Sequence, residues 1–327
     1  MKRLLLLIPL LLFSCTTSVE EEPVEPIEAT EELVVDFSTT DIQISDGVQH
    51  SVPLDDILSG GPPKDGIPSI DDPVFLSNDE VDFLSDDEIG IMVDLEGEAR
   101  FYPYSVLVWH EIVNDQIGDQ AILVTYCPLC GSGIVFDPIV NDEVSEFGTS
   151  GKLWNSNLVM YDRQTDSYWS QILGEAIVGE MTGTRLDLLP SQIMKWSSFK
   201  SLHPEGQVLS TDTGYSRDYT RTPYSGYEDS ISIFFPVDHS DDSFHPKAPA
   251  FGIEIDGVYK AYLQEYLEDG EFTDELNGVE LLISYNLETQ EFQIKRTDTD
   301  EVIVPFYNFW FSWFAVHPET LVWPESV

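Results

Sequence analysis

Cysteine is scarce in this chain: three residues in 327, at positions 15, 127 and 130. That excludes a framework of several disulfides and a zinc module built on two Cys-x-x-Cys pairs. Positive charge is scarce too. Fifteen Lys and Arg stand against 60 Asp and Glu, a formal charge of −45. A surface so negative repels phosphate backbones, which excludes nucleic acid as a partner, and it disfavours docking through a basic patch on anionic lipid. After Phe13 no apolar run is long enough to cross a bilayer as a helix. Several motifs are missing at the places where their first residues occur. His110-Glu111 is followed by Ile112-Val113-Asn114, so His-Glu-x-x-His fails. Gly131 stands where covalent haem attachment would need histidine. Gly148 to Leu153 has neither the spacing nor the final hydroxyl of a phosphate loop, so no nucleotide is expected.

What is present describes an exported globular protein. Hydrophobic content of 42% and aromatic content of 12% are enough to build a core. Lys2 and Arg3 precede an apolar run from Leu4 to Phe13, and Leu12-Phe13-Ser14-Cys15 resembles a bacterial lipobox. Residues 1–14 are therefore read as a lipoprotein signal peptide and Cys15 as the lipidated residue, anchoring the chain outside the cytoplasm, at the outer membrane in a Gram-negative cell. Thr16 is not Asp, so an inner-membrane retention signal of that type is absent. Residues 15–37 carry seven glutamates with interspersed prolines, the pattern of an extended tether.

The body is organised around Tyr126-Cys127-Pro128-Leu129-Cys130-Gly131. Apolar runs at Ala121–Thr125 and Ile134–Phe136 flank it, which predicts strand, turn, strand with both thiols on the turn. Turn formers dominate Ser59 to Pro68, which predicts a loop-rich lead-in over residues 38–88. Strands are expected at Ile89–Leu95 and Ala99–Tyr104, then a short helix from Tyr104 to Val113 carrying Trp109, His110 and Glu111. The chain also resembles itself. Asp94 to Tyr102 is echoed by Glu254 to Tyr262, Ile122 to Tyr126 by Leu281 to Tyr285, and Trp196 to Val208 by Trp310 to Val322. The expected fold is β-rich α+β: two related lobes from an internal duplication at residues 89–210 and 251–327, joined by 211–250. The first lobe bears a long insert at 137–180. Cys127 aligns with Asn286, so the thiol turn is confined to one lobe and is dispensable for making it.

Several segments together resemble the bacterial and archaeal family DUF3179, of unknown function. They are Gly61–Pro68, Trp109–Asp115, Thr125–Gly131, Ser150-Gly151 through Asn155–Thr165, Trp169–Gln171 and Trp310–Thr320. The resemblance runs in order from about residue 52 to 323 and brings no established activity.

Three readings of Cys127 and Cys130 stay open. As a metal knuckle between strands, the pair needs further ligands. His110 is the first candidate, with Met160, Glu111 and Asp137 behind it, and this donor set suits copper better than zinc. As a redox dithiol, the pair resembles Cys-Pro-x-Cys oxidoreductase sites, with Cys127 the expected nucleophile. As a plain disulfide it closes too small a loop to stabilise much. Metal ranks first, for metal handling or electron transfer. Lys152, Asp162 and Arg163 form a candidate anionic-ligand pocket, against the alternative that they pair with neighbouring carboxylates. Trp154, Tyr161, Tyr168 and Trp169 could form a glycan-stacking face in a non-catalytic binding module, although core packing accounts for such residues more often.

Overall fold

Short strands rich in β-branched and aromatic residues, separated by tight turns, give this chain its architecture. A computed structural model describes residues 42–324, all within one compact unit, as several twisted sheets with few helices. Among the described residues no helix is long and apolar enough to cross a membrane.

The hairpin Ile89–Leu95 and Glu98–Pro103 lies at the heart of a five-stranded sheet. Ile91, Val93 and Tyr102 face one buried cluster, while Met92 and Phe101 face another, so both sides of the hairpin are covered. The strand order is Gln192–Lys195, Ile89–Leu95, Glu98–Pro103, Gln207–Leu209, Phe75–Ser77, with Gln207–Leu209 parallel to its neighbour Glu98–Pro103. Later in the chain the same order recurs: Phe306–Phe309, Pro249–Ile255, Val258–Leu263, Leu321–Trp323, again with the last pair parallel.

The two halves share a sheet. Tyr307 pairs with Gly133, so Ser132–Phe136, Gln120–Cys127 and Ile112–Ile117 of the first half extend the sheet of the second to seven strands. Four of the six strands of the expected insert help to form a third sheet, and Ile139–Val140 pairs with Glu143–Val144 apart from it. Phe147–Trp154, Asn157–Asp162, Tyr168–Ser170 and Glu175–Val178 join Gln43–Ser45, Val48–His50 and Leu58–Ser59 from the lead-in. The lead-in is thus more regular than its turn residues suggest, and its loop is pinned by Gly60 N–H to Gly151 O and Asp65 N–H to Thr149 O, both 2.9 Å. Residues 211–248 contain neither helix nor strand.

The expected helix from Tyr104 to Val113 is one turn long, Tyr104–Leu107. The Glu111 backbone is left-handed at φ +61°, and its N–H closes on Leu107 O at 2.7 Å. That geometry ends the helix and starts the strand Ile112–Ile117, so His110 and Glu111 lie on a turn. The expected strand at Ile89–Leu95 has those bounds, and those at Ala99–Tyr104, Ala121–Thr125 and Ile134–Phe136 are displaced by one or two residues at their ends.

Candidate functional site: a buried dithiol turn

Three pieces of chain meet at the thiols. The first is the turn between Gln120–Cys127 and Ser132–Phe136, closed by Cys130 N–H to Cys127 O at 3.1 Å. Gly131 leaves it at φ +57°, and a Cβ there would lie 2.6 Å from the Phe309 ring. The second is the turn at Asn155-Ser156, where both residues are left-handed, φ +50° and +63°, as a two-residue hairpin demands. The third is the start of the helix Trp310–Val316, which supplies Ser312.

Cys127 and Cys130 are free thiols, 2% and 0% exposed. The Cys127 sulfur accepts from the main-chain N–H groups of Leu158 and Cys130. Burial nonetheless dominates and, with its bond to Cys130, pushes the Cys127 thiol well up. Burial works against Cys130 too. There, the nearness of Cys127, of the Ser312 hydroxyl and of the Asn157 amide outweighs it and brings the thiol below its ordinary value. Ser312 is buried and its hydroxyl makes no hydrogen bond of ordinary geometry, so it acts on the sulfur by proximity. As a thiol, Cys130 can instead donate to Ser156 O at 3.3 Å.

A fully buried polar network fixes this surround. Gln171 Oε1 accepts from Ser132 Oγ at 2.8 Å and from Asn157 Nδ2 at 2.9 Å, and its Nε2 donates to Thr125 Oγ1 at 3.1 Å. Asn157 Oδ1 accepts from Ile172 N–H at 3.0 Å. Every polar atom named is paired, so the network orders the site rather than destabilising it. From the 211–248 segment, Tyr227 packs in the same core cluster as both cysteines. Lys247 ties that segment down, donating to Ser230 O and, at 2.8 Å, to Ser232 O, with its ammonium 4.1 Å from the Tyr227 ring centroid.

The expected ligands are distributed unevenly. His110 is fully buried, but Nδ1 lies 2.7 Å from Pro68 O and Nε2 2.8 Å from the Tyr219 hydroxyl. Neither ring nitrogen is open, and burial lowers its basicity. In this fold it ties the lead-in to the connecting segment. Glu111 is 7% exposed, and burial followed by the nearness of Cys127 pushes its carboxyl well up, toward the neutral acid. Met160 packs in the core cluster that holds both cysteines. Asp137 instead caps its own turn, accepting from Ile139 N–H at 3.0 Å and from Gln120 Nε2 at 3.1 Å. Among the described residues no group of three or more His, Cys, Asp or Glu is placed to hold a metal ion.

Lys152, Asp162 and Arg163 do not converge as a pocket. Asp162 is buried and accepts from Thr165 N–H at 2.5 Å and Trp169 Nε1 at 2.9 Å. Arg163 reaches Asp71 at 2.8 Å and Glu146 at 2.7 Å. Lys152 lines a separate 60 Å³ cavity with Glu111, Leu129 and Tyr224. Trp154, Tyr161 and Trp169 are buried and Tyr168 is half-buried, so the insert's aromatics pack inward. Cys15 lies outside the described residues.

Sequence reasoning missed Asn157, Gln171 and Ser312 as the polar surround of the thiols. All three stand within segments already set apart by family resemblance: Asn155–Thr165, Trp169–Gln171 and Trp310–Thr320. The fold and the site together define a β-rich protein with a Cys-x-x-Cys turn buried where its sheets meet. The chain belongs to the family described as protein of unknown function (DUF3179), whose model matches residues 64–320. No curated protein and no solved structure matches it.

Proposed function

We propose that this is an extracytoplasmic lipoprotein, anchored to the envelope through lipid on Cys15, whose Cys127 and Cys130 hold one soft cation for metal handling or electron transfer. The observation that carries this reading is a pair of free thiols on one buried turn, with Met160 in the same core cluster. Main-chain N–H groups reach Cys127, and the Cys130 thiol lies below its ordinary value. Donors on sulfur stabilise thiolate, the form that binds metal. With His110 bonded to Pro68 and Tyr219, and no group of three or more His, Cys, Asp or Glu placed for a metal among the described residues, copper(I) fits better than zinc. Copper(I) is soft and accepts two thiolates, whereas structural zinc takes four ligands. The test is competition for copper(I) against a chromogenic chelator. The native chain should take one equivalent, and Cys127→Ser or Cys130→Ser should take none. Equal uptake by native and variant chains would refute the reading.

Two free thiols on one turn favour a second reading, thiol–disulfide exchange. The thiolate of one, Cys127 on the sequence reading, would attack a substrate disulfide and expel one of its thiolates. The other would then lose its proton and displace the second thiol, leaving the Cys127–Cys130 disulfide and a reduced substrate.

The two halves are read as an internal duplication. Their equal strand order supports this, as does a shared buried triad. Tyr102 and Arg100 meet Asp115 Oδ2 at 2.6 and 2.5 Å, and Tyr262 and Lys260 meet Asp274 Oδ2 at 2.8 and 2.6 Å.

A further inference from the structure

A cavity of about 650 Å³ opens beside the dithiol turn, with Gly131 in its wall. Cavities that hold small molecules run from ~300 to ~1,000 Å³. Its aromatic lining comes from different parts of the chain. Tyr104 stands at the start of the short helix, Tyr126 on the strand leading to Cys127, and Tyr307 on the strand shared between the halves. Tyr104 and Tyr126 stack at 4.0 Å between centroids. The charged lining is acidic: Asp87, Glu88 and Glu228 against the single Arg221. Asp87 is engaged by Lys195 at 3.2 Å, and Glu88 accepts from Ser105 N–H at 2.9 Å. Glu228 makes no hydrogen bond or ion pair among the described residues, and it bears electrostatically on Tyr104, Tyr126 and Tyr307 together.

A second observation is independent of the acidic groups. Tyr104, Tyr126 and Tyr307 reach this wall from three separate elements, and Tyr126 is 5% exposed. The Tyr104 hydroxyl is turned away from it, toward Gly133.

From these features we infer that the cavity is a binding site for a small organic cation, such as a quaternary amine. The tyrosine faces offer their negative quadrupoles to the cation, and Glu228 supplies the countercharge. The charge of −45 over the whole chain raises the local concentration of cations and so assists capture. An anionic ligand would face three carboxylates. A neutral sugar would leave Glu228 without a countercharge.

The test is calorimetric titration of the full chain, in a non-ionic polyoxyethylene detergent and at about 0.15 M salt to screen diffuse attraction. The probes are choline, benzyltrimethylammonium, the neutral carbon analogue dimethylbutanol, and maltotriose. Saturable binding of at least one cation, one per chain, is expected, with dimethylbutanol at least tenfold weaker. Glu228→Gln should weaken binding of that cation about tenfold. Tyr126→Leu, which removes one ring of the stack, should also weaken it. Glu228 is exposed, so its variant tests the site even if Tyr126→Leu folds poorly. The inference is overturned if neither cation saturates, if dimethylbutanol binds as tightly as choline, if Glu228→Gln changes nothing, or if maltotriose alone binds.

Discussion

Phe309 is bonded to Cys130 across the two halves of the chain: its N–H donates to the Cys130 carbonyl at 2.7 Å, and its ring covers Gly131. The thiol turn of the first half is therefore seated on the last strand before the C-terminal helix. That strand ends at Phe309 and the helix begins at Trp310, so the same few residues deliver Ser312 to the sulfur. The dithiol belongs to an assembled fold rather than to a local hairpin.

Gly131→Ala tests this seating. The substitution demands a left-handed alanine and drives a methyl into the Phe309 ring. The two costs together should lower stability by about 2–4 kcal/mol. Equilibrium denaturation in urea measures it, and a loss below a few tenths would mean that Phe309 moves aside freely.

Cys127→Ser and Cys130→Ser should expose the difference in acidity. Rates of alkylation by iodoacetamide against pH should rise at lower pH when Cys130 is the remaining thiol than when Cys127 is. Removing the amide donor with Asn157→Ala should move the Cys130 profile upward by roughly one pH unit, the equivalent of one hydrogen bond to a charged group. Profiles that coincide for the two single-cysteine chains would place the whole difference in the coupling between the two sulfurs.

His317 should make the fold sensitive to acid. It stacks on Tyr259 at 3.8 Å between centroids, and burial, with Arg185 nearby, lowers its pKa to about 3. The unfolded chain binds a proton at this residue below about pH 6.5 while the folded chain does not. This residue's contribution is thus full above that pH and is lost as pH falls toward 3, by at most about 1.4 kcal/mol per unit. Denaturation midpoints for His317→Gln should fall less steeply than the native ones between pH 6 and 4. Parallel curves would place the acid sensitivity elsewhere.

Asp274→Ala should cost about 3–5 kcal/mol, because it strands the ammonium of Lys260, whose side chain is 1% exposed. Replacing both partners with apolar residues, Lys260→Met with Asp274→Leu, should recover most of that loss. If the double variant is as unstable as the single one, the cost lies in the Tyr262 hydrogen bond and not in the ion pair.

The strands and the thiol turn were legible because alternating β-branched residues and a Cys-Pro-x-Cys-Gly turn are local signals. The helix around His110 was misjudged because its end depends on one left-handed residue, Glu111, whose type gives no warning. The surroundings of His110 were hidden for a related reason. Its hydrogen-bond partners, Pro68 and Tyr219, are 42 and 109 residues away. Nor could spacing show that Ser132–Phe136 would pair with Tyr307 and carry the turn into the other half's sheet. The polar surround from Asn157, Gln171 and Ser312 comes from three distant segments, and only their family motifs marked them.

The most direct test is a count of copper, zinc and free thiols on one sample of the full chain, purified without chelator from cells supplied with copper. One copper per chain, absent from Cys127→Ser, is the predicted result. Neither metal nor free thiols would contradict the metal site and identify Cys127 and Cys130 as a disulfide.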